Sequence, residues 1–335
     1  MNKPSVYQQG NAWQRNRYAF MAEYNLKAGI KDFGHSPAGE TRYLHLITEK
    51  DACHNFLDEP EILDAVKNRF GDHKAGDYER VMTNTVASQP CCFNLFVPLQ
   101  MRPELANMLF SELLNKKVSV DHIEIEFTPN TLETIKGYEL TGDESLGDQG
   151  SKRGTDADVA VFYTSGKERG VVLIEFKYIE SEFSQCGSYK VDKKNIRRVC
   201  DNPGFYQKLI EPILSGQEKK SDCGYLKYKN WKLIEESKVF NKALIKNNTA
   251  CPFRFSGQQL WRNLLLAENV ARHRSLDEFS FWVLSPSENT FLWEKGATNV
   301  EQEFRSILTG HGNDAFRKID LNHFFEKIKV LIADE

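Results

Sequence analysis

Nowhere in the 335 residues does an apolar run approach the roughly 18 residues that a membrane-spanning helix needs, so a membrane span is not expected. The opening stretch, MNKPSVYQQGNAW, lacks the apolar core of a secretory signal. The seven cysteines (53, 91, 92, 186, 200, 223 and 251) are odd in number, irregularly spaced and contain no CxxC pair. That pattern argues against a disulfide framework or zinc cluster and for reduced thiols in the cytoplasm. Charge of one sign is also missing: 44 Lys plus Arg against 47 Asp plus Glu leave a net charge of −3. The balance does not announce a nucleic-acid binder, but a local basic groove can do that work. Walker loop, HExxH, nucleophile elbow and dinucleotide fingerprint are all absent.

With 40% hydrophobic and 27% charged residues, the composition is that of a globular α/β chain. A chain this long can bury about three-quarters of its surface without metal or disulfide staples. Residues 1–84 read as a mostly helical N-terminal extension, with a helix capped by Asp58 and stopped by Gly71. A second helical stretch, Asp77–Phe96, is interrupted at Pro90. Residues 85–335 read as the core. Pro103 opens a helix whose apolar stripe is Leu105, Met108, Leu109, Leu113 and Leu114. The period then changes to two in 118–127, with Ile123, Ile125 and Phe127 on one face and Glu124 and Glu126 on the other, towards solvent.

Residues 140–154 read as a Gly-rich acidic loop. Two β-like segments, Asp158–Tyr163 and Val171–Ile179, flank the turn sequence Thr164–Gly170. A basic and aromatic segment near 188–256 follows, then a helix over Gln258–Arg272, a strand over Phe279–Leu284 and a short partner strand at Phe291–Trp293. The C-terminus returns to helix at Val300–Leu308 and about Leu321–Ile332.

The hairpin carries the chemistry. Glu175 and Lys177 share a strand face, and a turn centred between Gly166 and Lys167 sets Asp158 opposite Glu175. Facing residues in an antiparallel pair have Cβ atoms about 4.5–5.5 Å apart, so the two carboxylates repel unless a cation stands between them. Hard oxygen ligands with open positions suit Mg²⁺ or Mn²⁺, and a metal beside a lysine suits phosphodiester hydrolysis. The same E-x-K spacing is met in ordinary ion pairs. A carboxylate-pair glycosidase has no use for the lysine.

Asp158, sixteen intervening residues and Glu175-Phe176-Lys177 resemble the PD-(D/E)XK, restriction-endonuclease-like nuclease superfamily. Arg153–Asp158, Ile174–Glu180 and Gln259–Arg262 are similar to a mostly uncharacterised bacterial branch of it, although Ala157 replaces the motif's proline and Asp156 competes with Asp158. The resemblance implies an α-β-β-β-α-β core, with a mixed sheet flanked by helices. It implies a Mg²⁺- or Mn²⁺-dependent endonuclease acting on nucleic acid, DNA before RNA, in restriction or defence. Asp158, Glu175 and the Phe176 carbonyl would hold the metal, with Lys177 catalytic and Glu124, Glu126, Asp156 or Glu180 as a third acid. Gln259, Arg262, Lys193, Lys194, Arg197 and Arg198 would contact phosphates, and Tyr225, Tyr228 and Trp231, interleaved with lysines, would stack on bases. The alternative is a catalytically silent nucleic-acid-binding or assembly module of the same fold. Homodimerisation stays open.

Overall fold

The computed structural model describes residues 3–36, 39, 41–57, 60–71, 77–129, 135–149, 154–191, 195–220 and 223–333. Asp58, Arg153, Lys193 and Lys194 lie outside them. Among the described residues no helix is long and apolar enough to cross a membrane. The N-terminal part holds helix α1 (Ala12–Lys27), a small hairpin of β1 (Phe33–His35) and β2 (Arg42–Ile47), helix α2 (Pro60–Gly71) and helix α3 (Tyr78–Thr83). The hairpin adds two short strands to a stretch whose other elements are helical.

The break between 77 and 96 also differs from expectation. It falls after α3, at Asn84–Ala87, and Pro90 sits in the first turn of α4 (Ser88–Met101). A first-turn proline costs a helix nothing, because its missing N–H has no partner there anyway. Pro103 opens α5 (Pro103–Leu114) as expected, and Asn115 in the left-handed region (φ 54°) ends it.

The main sheet has five strands: β3 (Ser119–Phe127), β4 (Ala157–Ser165), β5 (Glu168–Phe176), β6 (Glu278–Ser285) and β7 (Phe316–Asp320), side by side in that order. The first three are antiparallel, and β6 and β7 run parallel to β5. Helix α5, strands β3–β5, helix α6 (Gly257–His273) and β6 supply the expected α-β-β-β-α-β order. Strand β7 adds an edge that the sequence did not announce. Thr290–Trp293 is a helical turn rather than a partner strand. Helix α7 (Leu321–Ala333) closes the chain.

The β4–β5 turn is tighter than the seven residues expected. The ladder runs from Ser165↔Glu168 to Val159↔Ile174, leaving Gly166 and Lys167 as a two-residue turn. Gly166 has φ +63° and Lys167 does not share that conformation, the pattern of a type II′ turn. Further along, Gly170 faces Tyr163; a Cβ there would lie 2.3 Å from the tyrosine ring. The ladder ends at Val159↔Ile174, and one further step in the same register puts Asp158 opposite Glu175, the juxtaposition that the turn-centred reading expected.

Two cores flank the sheet. On one side Val159, Val161, Val172 and Ile174 pack with α2, α4, α5 and α7. On the other, Ala160, Phe162, Val171 and Leu173 pack with α6 and with 188–256. Packing is continuous across residue 84, since Ile62, Val66, Phe70 and Val81 share a core with Phe93 and Phe96. The aromatic residues of 188–256 form much of the second core. Trp231 is 2% exposed and packs between Phe253 and Trp261, so it is not a platform for a base. Tyr225 packs edge-on to Trp261 and accepts a hydrogen bond from Gln258.

Candidate active site

At the end of the hairpin opposite the turn, the chain delivers Asp158 from β4 and Glu175 from β5, with Lys177 one residue past β5. Backbone pairing fixes the lysine's position: its N–H donates to Leu284 O (2.9 Å), carrying the β5–β6 ladder one residue further. Lys177 Nζ lies 2.6 Å from Glu175 Oε1, with both side chains nearly enclosed. Asp158 Oδ2 accepts the Phe176 N–H at 2.6 Å. The three motif residues are therefore one connected group.

Helix α6 fixes Glu175 from the side. Gln259 Nε2 donates to Oε1 and Asn263 Nδ2 to Oε2, each at 2.7 Å, and Gln259 Oε1 accepts from Ser184 N. The spacing i, i+4 puts both amides on one helix face. Arg262 points elsewhere. Its Nε donates to Thr155 Oγ1 (2.7 Å) and its Nη2 to Asp148 Oδ2 (2.8 Å). Arg262 thus anchors Asp148 and Thr155 to α6, and its guanidinium is already engaged.

Glu124 and Glu126 are buried, 8% and 5% exposed, which overturns the expectation that they face solvent. Arg69 of α2 donates to the Ile125 and Glu126 carbonyls, and Gln89 of α4 donates to Glu126 Oε1 (3.0 Å). Glu126 takes a left-handed backbone (φ 56°), which breaks the strand's alternation. Ile123 and Ile125 consequently pack in one core and Phe127 in the other, not all on one face as expected. Glu124 turns towards His122 Nε2, 3.5 Å away.

The acids press on one another. Burial first, then Glu175 and Glu126, push Asp158 well above the ordinary carboxylate range, against the pull of Lys177 and the Phe176 N–H. Burial, Asp156 and Glu175 raise Glu126 to about 7, although Gln89 and Arg69 favour its charged form. Asp156 reaches solvent, yet the protein enclosing it and Glu175 raise it to about 6. Burial pulls Lys177 down, but Glu175, Glu180 and Asp158 overcome it and hold the ammonium charged.

Glu180 closes the far side. It accepts from Tyr178 N (2.8 Å) and Ser88 Oγ (2.9 Å), and Arg80 Nη2 lies 3.9 Å away. Trp13 Nε1 of α1 donates to Tyr178 O at 3.0 Å, so the N-terminal helix docks beside the lysine. The start of α4 also belongs to the site. Ser88 reaches Glu180, Gln89 reaches Glu126, and Cys92 Sγ lies 3.9 Å from Asp158 O. Sequence reading missed Ser88 and Gln89. Pro90 was the available signal, but it was read as a helix interruption and not as a first-turn proline.

The donor set fits a hard divalent cation. Asp158 and Glu175 are oxygen ligands from neighbouring strands, in a place where buried acids outnumber the one lysine. Both Glu175 oxygens are already hydrogen-bonded, and among the described residues no three acids, histidines or cysteines stand grouped to hold an ion. Asp158 and Glu175 are the side chains that would hold one.

Of the basic residues, Arg197 is exposed but bound to the Tyr189 and Lys190 carbonyls, and Arg198 is exposed. Lys208, Lys219, Lys220 and Lys227 line a hollow of about 600 Å³ with Glu218.

A mixed sheet that presents Asp and Glu-x-Lys at adjoining strand ends, with helices packed on both faces, is the architecture of a restriction-endonuclease-like fold. The chain belongs to the PD-(D/E)XK nuclease superfamily, whose family model matches residues 12–335. No curated protein and no solved structure matches it.

Proposed function

We propose that the protein is a Mg²⁺- or Mn²⁺-dependent endonuclease that hydrolyses DNA phosphodiesters through Asp158, Glu175 and Lys177. The observation that carries this reading is the connected group itself: Lys177 2.6 Å from Glu175, beside an Asp158 held on the Phe176 N–H. A structural ion pair alone does not need Gln259 and Asn263 to orient its carboxylate, nor a second acid pushed out of its ordinary range beside it. When bound, the metal supplies a Lewis acid and an activated water. The Lys177 ammonium stabilises charge on the scissile phosphate or orients the nucleophile. Gln259 and Asn263 keep Glu175 in place, and Gln89 does the same for Glu126. The odd number and irregular spacing of the seven cysteines agree with a reducing compartment, and the reading extends to the cytoplasm and to a role in restriction or defence.

The roles separate by mutation. Glu175→Ala should weaken Mg²⁺ or Mn²⁺ binding, measured by calorimetry, while Lys177→Ala leaves it largely intact; both should abolish cleavage. Equal loss of metal affinity in the two variants would contradict the assignment of ligand and catalytic lysine.

A further inference from the structure

Helix α1, the β1–β2 hairpin and α3 enclose a cleft of about 1,070 Å³. That volume is at the upper end for small-ligand sites. One wall is a cluster of four rings. His45 of β2 lies 4.6 Å from Tyr18, 5.7 Å from Tyr43 and 5.9 Å from Tyr7, centroid to centroid. Tyr7 packs edge-on to Tyr18 at 4.8 Å and to Tyr43 at 5.0 Å. The three tyrosines are half-buried and belong to none of the hydrophobic cores. His45 is 6% exposed, and its Nδ1 is buried without a hydrogen-bond partner. Burial holds the imidazole down to about 4, so it is neutral at physiological pH.

The cleft adjoins the catalytic group. Arg80 in its wall lies 3.9 Å from Glu180, and Glu180 acts electrostatically on both Tyr18 and Lys177. Glu49, Asp77 and Glu79, all exposed, also line it against the one Arg80, so the lining as a whole disfavours phosphate. An uncharged base meets no such barrier. Carboxylates and a neutral imidazole can accept from an exocyclic amino group. Stacking on aromatic side chains holds an unpaired base whatever its sequence.

We propose that this cleft receives one unpaired nucleobase of the substrate, stacked on the tyrosine cluster and hydrogen-bonded by His45, while the backbone passes Arg80 towards Lys177. The proposal rests on the nuclease reading and names the substrate feature that reading leaves open: a flipped, bulged or single-stranded nucleotide.

The test uses full-length protein carrying Lys177→Ala, so that DNA is bound in Mg²⁺ but not cut. Two duplexes are compared by anisotropy, one fully paired and one with a single unpaired 2-aminopurine. The bulged duplex should bind more tightly, with its 2-aminopurine fluorescence quenched by stacking. Tyr18→Ala and Tyr43→Ala should weaken that binding about 5- to 150-fold, the range of stacking on one aromatic side chain, and leave the paired duplex unchanged. Tyr43→Phe should keep the affinity, and it decides the matter if an alanine variant fails to fold. Equal binding of the two duplexes, or an unquenched probe, would overturn the base site and leave the nuclease reading standing. No binding of either duplex, or of the same pair in RNA, would overturn both.

Discussion

At Asp158, burial and two neighbouring carboxylates act in the same direction, and only Lys177 and one backbone N–H oppose them. Such a residue serves chemistry at a cost in stability. Asp158→Asn keeps an acceptor for the Phe176 N–H but removes a charge from the cluster. In EDTA it should raise the melting temperature by a few degrees, at roughly 2–4 °C per kcal/mol for chains of this order of size, while cleavage is lost. A lower melting temperature by circular dichroism would show that the acids are not under repulsion. His45 works the other way with pH. Its folded value of about 4 lies below the ordinary 6.5, so the unfolded chain takes up a proton that the folded protein refuses. The stabilisation is complete above pH 6.5 and is lost as pH falls towards 4, by at most roughly 3 kcal/mol. His45→Gln should flatten the dependence of urea stability on pH across that window. An unchanged slope would remove burial of His45 as its cause.

Among the elements, the hairpin was the most legible in sequence. Two runs of β-branched and aromatic residues around Gly166 leave little choice of register, and register places Asp158 and Glu175. Helices α5 and α6 were legible from their stripes and from Pro103. Strand β7 was not, because Phe316–Asp320 is a short edge with two cations, and Arg317 lies over Trp282 where no local pattern reveals it. The buried state of Glu126 was hidden for a similar reason: the residues that cover it, Arg69 and Gln89, come from helices 57 and 37 positions away. Residues 140–154 read as a loop, yet two buried ion pairs pin Glu144 and Asp148 of it to α6 and its C-terminal end, Arg274–Glu144 and Arg262–Asp148. Arg274 makes two bonds to Glu144, at 2.6 and 2.7 Å, and a third to Tyr138 O. Arg274→Ala takes the guanidinium away from a buried carboxylate and should cost roughly 3–5 kcal/mol in urea unfolding, with faster proteolysis within 135–149. A loss below about 1 kcal/mol would show that the loop does not depend on this pair.

Across the whole molecule, the fold brings together what the chain spreads over 250 residues. Trp13 and Ser88 touch the segment just after Lys177, and Asn263 holds the glutamate just before it. With a net charge of −3, attraction to nucleic acid has to come from local features such as the lysines around the 600 Å³ hollow, not from the overall field. On the function proposed above, this assembly is a metal-dependent nuclease whose lysine is indispensable. Supercoiled plasmid incubated with purified protein in Mg²⁺ or Mn²⁺ tests it most directly, with Lys177→Ala prepared in parallel and shown to be folded. The expected result is nicking or linearisation by the native chain, none in EDTA and none by the variant. Equal cleavage by Lys177→Ala, or cleavage that persists in EDTA, would contradict the account.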